Sequence, residues 1–523
     1  MTKIFKNTAL ISILTLLSRI LGVIRDMLIA SCLGTSSQSD AFFIAFRPFD
    51  LARKLFSEGI MNISFIPVFS ESFERHGMSK AGSLFFSCFF MLSVIGSCMV
   101  WAGIFFCPWL LSFIAPGLIS PSETYDLSQT LFRIMAPYTL FILLSALFMG
   151  VLNTFANFSI PALTPILFNC VMITSAVIAV PLFKVPAMSI ALGVSIGGLL
   201  QLAIQLPFII RTGIFKRAYF RFFHPDLVKI AIIMVPSMIG AASYQINIMV
   251  AACFASGLDE GSISYMYFAD RLVQFPLALF AVSLTTVLLP EISKSFVQGN
   301  QDDQDKQEQR KKIAELFSSG VKLVFFITIP AMAGMMALSE PIVRLLFERG
   351  AFSDEAVRQT ADCLFFLSTG LWAFTGMRVF ATLYFSLKRI SIPFYSGLIV
   401  MVLNLIMGPL LMEWVGLKGL LLSVSLSAAV GFVFLFINIP EKMNIDKREI
   451  LVSVCRTFFL SAIMFILVRK AADMILPLIY TNFWHNVMVM GLIGSGILLY
   501  AGMSFIISKP ELEIIRRNIK TVL

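Results

Sequence analysis

The chain has 523 residues, of which 58% are hydrophobic and 13% charged, with a formal net charge of +10. A soluble domain carries about a quarter charged residues, so this composition excludes a water-soluble globular protein. No basic segment is interleaved with aromatics, so nucleic acid is excluded as a partner and the positive balance is assigned to cytoplasmic loops.

The N-terminus starts with Lys3 and Lys6 and an apolar run to Leu17. This resembles the start of a signal peptide, but no small-residue cleavage site follows and Arg19 interrupts the run, so it reads as a retained first helix. Apolar runs of spanning length follow at about 7–34, 38–68, 82–112, 126–152, 158–181, 187–210, 227–256, 262–290, 314–338, 356–386, 391–412, 417–438, 449–470 and 484–507, fourteen in all. Lipid leaves backbone polar groups nothing to bond with, so only helices or closed barrels can span it, and these runs are too long for barrel strands. The expected fold class is an all-α integral membrane protein of about fourteen transmembrane helices.

Lys and Arg set the orientation. With the N-terminus inside, the inner segments hold 23 of them, from Lys3 to Lys520, against six outside: Lys184, Arg344, Arg349, Lys418, Arg469 and Lys470. Both termini are expected in the cytoplasm of a bacterial inner-membrane protein. The polar segment 297–313 reads as a flexible cytoplasmic linker. Segment 340–350 is amphipathic and suits the outer surface, and the tail from Lys509 suits the inner one. The eight cysteines lie in or beside apolar runs without a Cys-x-x-Cys pair, and read as small buried hydrophobes. His76, His224 and His485 are scattered, and no phosphate-loop, zinc-protease or nucleophile-elbow pattern occurs. No cofactor and no metal cluster are expected.

The two halves repeat weakly. FIPVFSESF (65–73) resembles LLPEISKSF (288–296) at an offset of 223, IAFR (44–47) resembles FADR (268–271) at 224, and SIP recurs at 159–161 and 391–393. The expected organisation is a six-helix lobe over 1–225, a second over 226–445 and two extra helices with a tail over 446–523. Six helices per repeat give both lobes the same orientation, related by an axis along the membrane normal.

Charge inside spans carries the chemistry. The first helix contains Arg19, Arg25 and Asp26, the second Asp40, Arg47, Arg53, Lys54 and Glu58, and the eighth Asp270 and Arg271. Each arginine at mid-bilayer costs about 2.5–3.5 kcal/mol on insertion scales, so such groups face a watery cavity, pair with acids or approach an interface. Pairing within the set, of Arg19 or Arg25 with Asp26, Asp40 or Glu58 and of Arg271 with Asp270, is the structural alternative. Counting Arg19, Arg25, Arg47, Arg53, Lys54 and Arg271 against Asp26, Asp40, Glu58 and Asp270 leaves a positive surplus. Surplus arginine suits bidentate recognition of phosphate oxygens, and a diphosphate is a fitting anion. Arg133, Lys322, Arg358 and Arg456 read as snorkelling, whereas Arg378 lies deep in the tenth span and is a weaker candidate, as are Arg47, Asn169 and Gln274.

The segments SRILGVIRDMLIA (18–30), SDAFFIAFRPFDLARKLFSEG (39–59) and YFADRLVQFPLAL (267–279) resemble the signature segments of the MurJ/MviN lipid II flippase family, within the multidrug/oligosaccharidyl-lipid/polysaccharide exporter superfamily. The resemblance implies a non-enzymatic flippase that moves lipid II to the outer leaflet by alternating access. It implies that Arg19, Arg25, Arg53 and Arg271 bind the head group, with Asp26, Asp40 and Glu58 as acidic partners, and that the last two helices form a groove for the polyprenyl tail. The chain departs from the family where Asp50 stands in place of a common Asn and Gln274 in place of an acid. Sodium contacts would fall to Asn247 and Asn404. Membrane lipids are the other implied partner, and the oligomeric state is left open, a monomer included.

Two other classes compete. A cationic-drug exporter of the same fold calls for surplus acid in its cavity, whereas an exporter of another polyprenyl-diphosphate glycan fits the same residues. A membrane glycosyltransferase needs a catalytic acid or base on an outer loop, and Glu123, Asp259, Glu260 and Asp354 form no constellation.

Overall fold

The computed structural model describes residues 2–508 apart from 57–60, 119–121, 218–221, 278–302, 388, 390, 441–442, 444 and 479–481. The expected candidate Glu58, the repeat segment 288–296, the linker residues 297–302 and the tail from Lys509 lie outside the described residues.

The regular elements among the described residues are helices, and each expected span overlaps a helix or helix pair. In chain order these are α1 (Thr2–Leu33), α2 (Ser37–Leu55), α3 (Met61–Phe105), α4 (Cys107–Ile114), α5 (Glu123–Met135), α6 (Tyr138–Thr154), α7 (Ser159–Thr174), α8 (Pro186–Arg211), α9 (Ile214–Arg217), α10 (Asp226–Ala255) and α11 (Ser262–Pro276). There follow α12 (Asp303–Ala337), α13 (Ser339–Phe347), α14 (Asp354–Ser368), α15 (Leu371–Ser386), α16 (Ser391–Val415), α17 (Leu417–Ile437), α18 (Lys447–Ile475) and α19 (Asn482–Ile507). Among the described residues nine helices are long and apolar enough to cross a membrane, or ten counting α14 and α15 as one span bent by 45°. Helix α2 is absent from that set, since it carries Asp40, Arg47, Asp50, Arg53 and Lys54.

Local chemistry explains several ends. Ser122 caps α5 by accepting from the Tyr125 N–H, with Glu123 and Asp126 in the first turn and Arg133 in the last, matching the helix dipole. Asp446 caps α18 by accepting from the N–H groups of Arg448 and Glu449. Helix α3 breaks at Gly77, whose φ of 74° suits glycine, so helix flanks both sides of the turn expected between the second and third spans. The linker expected over 297–313 is helical from Asp303 onward. Its Gln, Lys, Glu and Arg residues are good helix formers, and that propensity prevails over their polarity.

The chain divides into two compact units, one of residues 1–245, 252–264 and 349–353, the other of 246–251, 265–348 and 354–523. In the first unit α6 packs on α3 and α8, α7 on α1 and α8, and α2 on α5. Close approach comes from small residues, and buried polar side chains bond across helices. Ser175 Oγ donates to the Ser189 carbonyl at 2.5 Å, Ser189 Oγ returns a bond to the Ser175 carbonyl at 3.0 Å, and Gln205 donates to Ser145 Oγ at 2.6 Å. In the second unit α17 packs on α16, and α12 on α18. Ser396 donates to the Gly431 carbonyl at 2.9 Å, and Tyr384 to that of Leu435 at 2.7 Å.

Large apolar side chains such as Trp101, Phe113, Leu498 and Phe505 are exposed, as lipid solvation requires. Three cysteines depart from the buried reading: Cys98, Cys170 and Cys455 are exposed on the apolar helices α3, α7 and α18. Lys322, expected to snorkel, is buried and pairs with Glu449 in the first turn of α18, which supplies a closer counter-charge than the interface.

A Cβ added at Gly198 would meet Tyr138 at 2.4 Å, whereas one at Gly491 would meet nothing within 4 Å. Gly198→Ala is expected to destabilise the protein by about 1–3 kcal/mol through overpacking. Gly491→Ala is expected to be neutral or slightly stabilising. Thermal unfolding of both variants in detergent checks the contrast, and equal melting temperatures would contradict it.

Candidate functional site: buried cations and their acidic partners

In the first unit, Arg25 sits on α1 with its side chain 11% exposed. Its Nε and Nη2 donate to Asp26 Oδ1 at 2.9 and 2.7 Å. Its Nη1 donates to Asn169 Oδ1 on α7 at 3.0 Å, and Asn169 Nδ2 donates to the Ser18 carbonyl at 3.0 Å. A guanidinium has five N–H donors, and three are engaged here among the described residues. Arg19 and Arg47 are half-buried.

A second cluster lies on α2. Arg53 Nη2 and Nε donate to Asp50 Oδ1 at 2.9 and 3.3 Å, and Lys54 Nζ lies 3.0 Å from Asp50 Oδ2. Helical spacing of three and four residues puts all three side chains on one face. Lys54 Nζ also donates to Gln245 Oε1 at 3.1 Å. Asp50 was missing from the sequence-level charge balance. With it, the cations number six and the acids five: Asp26, Asp40, Asp50, Glu58 and Asp270. A surplus remains, but smaller, and the i, i+3/i+4 spacing to Arg53 and Lys54 was the signal that would have found it.

Asp40, read as a partner for arginine, does something else. It is buried and accepts from the Gly261 N–H at 2.7 Å, the Ser264 N–H at 2.9 Å and Ser264 Oγ at 2.5 Å. It therefore satisfies orphan donors at the start of α11, whose N-terminal dipole favours a carboxylate. Nearby, the Ser37 N–H donates to Glu260 Oε1 at 2.5 Å. Two further contacts tie the loop after α13 to α1 and the turn after α4 to the C-terminal end of α10. The Ala351 N–H donates to the Ser31 carbonyl at 2.8 Å, and the Gly117 N–H donates to Ser256 Oγ at 3.1 Å.

In the second unit, Arg271 turns to Tyr267, one helical turn back. Its Nε and Nη2 donate to the Tyr267 hydroxyl at 2.9 and 2.8 Å, with the guanidinium carbon 4.9 Å from the ring centroid. Asp270, the alternative partner for Arg271 on sequence grounds, accepts instead from Gln274 Nε2 one turn on. An acid at 274 would repel Asp270, whereas the amide found here donates to it. Asn247 and Asn404 are both buried: Asn404 Nδ2 donates to the Asn247 carbonyl at 3.2 Å, and Asn404 Oδ1 accepts from Ser423 Oγ at 2.7 Å. Arg378 lies midway along α15, with its side chain exposed. Among the described residues no group of three or more His, Cys, Asp or Glu side chains could hold a metal ion.

Asp50→Ala would leave Arg53 and Lys54 without their shared carboxylate. Removing one partner of a buried ion pair costs about 3–5 kcal/mol. With side chains 12–22% exposed, the lower end is expected, read as a melting temperature several degrees down in purified protein. An unchanged melting temperature would show that the two cations do not depend on Asp50.

Comparison with known proteins identifies the family. The family described as lipid II flippase MurJ matches residues 29–492. A probable lipid II flippase MurJ of Vibrio cholerae serotype O1 is 33% identical over 444 residues, 83% of this chain and 82% of that protein. The lipid II flippase MurJ of Burkholderia cenocepacia is 31% identical over 452 residues, 84% of each chain. A solved structure of lipid II flippase MurJ in an inward closed conformation superposes with a TM-score of 0.78 at 28% identity, covering 96% of this chain and all of that one. An inward-facing multidrug resistance MATE transporter of the MOP superfamily superposes at 0.67 with 13% identity, covering 82% of this chain and 96% of that one, a likeness of fold alone. A match this continuous, over a chain with cations set into α1, α2 and α11, leads to one conclusion: the chain belongs to the lipid II flippase MurJ family.

Proposed function

We propose that this chain carries lipid II from the cytoplasmic to the outer leaflet by alternating access, with its intramembrane arginines holding the diphosphate. Arg25 supports the reading most directly: a guanidinium largely out of water, paired with a carboxylate, with N–H donors beyond those engaged. Arg53 and Lys54 both contact the carboxylate of Asp50, which places two cations beside one another on α2. In this reading Arg19, Arg25 and Arg53 of the first repeat (1–225) and Arg271 of the second (226–445) replace the water lost by the head group. Asp26 and Asp50 hold cations in place. Asp40 fastens the start of α11, with Asp270 and Gln274 as a bonded pair beside Arg271. The extra helices of 446–523 take the polyprenyl tail. Both termini face the cytoplasm, and the transporter performs no covalent chemistry. Sodium, if it couples to transport, would meet the neutral side-chain oxygens of Asn247 and Asn404, which hold a cation more weakly than carboxylates.

Arg25→Ala, Arg53→Ala and Arg271→Ala are each expected to abolish growth in a strain depleted of its own flippase while the variant protein still inserts. A lost charge-assisted hydrogen bond costs about 1.5–3 kcal/mol, or roughly tenfold to a hundredfold in head-group affinity. Full complementation by all three variants would refute the assignment. Reconstituted vesicles tested with lipid II and with another polyprenyl-diphosphate glycan separate the cargo from the rest of the proposal, since equal transport of both would overturn lipid II selectivity.

A further inference from the structure

We infer that Asn169 is a positioning residue for the Arg25 guanidinium, clamping it to the backbone of α1 so that its remaining donors meet the cargo in a set direction. The inference rests on the reading that Arg25 binds the diphosphate. Asn169 is buried on α7 and bonds at both ends of its amide. The orientation of that amide follows from the partners. A backbone carbonyl only accepts and a guanidinium only donates, so the NH2 end must face Ser18 and the oxygen must face Arg25.

Asp26 alone would not orient Arg25. Both bonds from Arg25 converge on the single oxygen Oδ1, which supplies charge but lets the planar group pivot about that atom. The bond from Nη1 to Asn169 adds a second fixed point, on a different helix. Two points on separate helices set the plane of the guanidinium before cargo arrives, which removes part of the ordering cost of binding. The amide does this without charge. A carboxylate at 169 would fix Arg25 as well, but would compete with the phosphate oxygens.

A double-mutant cycle on the full-length protein in detergent tests this, with lipid II carrying a shortened polyprenyl chain as the probe. Asn169→Ala is expected to weaken binding about fivefold to twentyfold in the wild-type background. It should change binding less than about twofold in Arg25→Ala, because nothing is left to orient. Asn169→Asp, which keeps the volume, is expected to weaken binding in the wild-type background too, and stands in if the alanine variant does not fold as judged by size exclusion. Equal losses in both backgrounds would reduce Asn169 to general packing and overturn the inference, as would wild-type affinity in either single variant. If Arg25→Ala itself bound like the wild type, the diphosphate assignment would fall, and the role of Asn169 with it. A loss in Arg25→Ala without coupling to Asn169 would overturn only the positioning role.

Discussion

A positive charge cannot remain in hydrocarbon without a partner, and the first unit is arranged around that constraint. Arg25, Arg53 and Lys54 lie on helices that must pack deep in a bilayer protein, and each is bonded to a carboxylate one to four residues away on its own helix. Local pairing gives Arg25, Arg53 and Lys54 a counter-charge on their own helix, which offsets part of the cost of desolvating them. Tertiary contacts then adjust direction: Asn169 reaches Arg25 from α7, and Gln245 reaches Lys54 from α10. Both are neutral amides, which orient a cation without cancelling it.

The helical architecture was legible in the sequence because lipid imposes it through length and hydropathy, signals that need no knowledge of packing. The breaks were less legible. Gly77 has nothing near its Cβ position and serves only to reverse the backbone, so no apolar pattern announces it, and the helical start of α12 hides in a segment polar enough to read as a linker. Among the charged residues, those with local partners were the easier part. Asp26 follows Arg25 directly, and Asp50 could have been found by counting along one helix face. Asp40 was of another kind. Its partners, Gly261 and Ser264, lie more than 220 residues away, and two of the three bonds go to backbone N–H groups that leave no trace in residue identity. The hydroxyl of Ser264 is the single side chain that could have pointed to it.

Arg271 shows how the neighbour in sequence can differ from the partner in space. Adjacent Asp270 looked like its counter-ion, yet successive residues on a helix point about 100° apart. Tyr267, one turn back, is on the right side and offers both a hydroxyl and a ring face.

Asp50 gives the α2 cluster a threshold. Any anion approaching Arg53 and Lys54 meets a carboxylate already seated between them, so it must outbid an internal occupant rather than fill a vacancy. Chloride, with one charge and no fork of oxygens, gains little by such an exchange. A diphosphate, with several oxygens and more than one charge, can engage both cations at once and leave the carboxylate to rotate aside. A resident counter-ion of this kind would bias the cluster against small monovalent anions and toward a ligand with several charged oxygens.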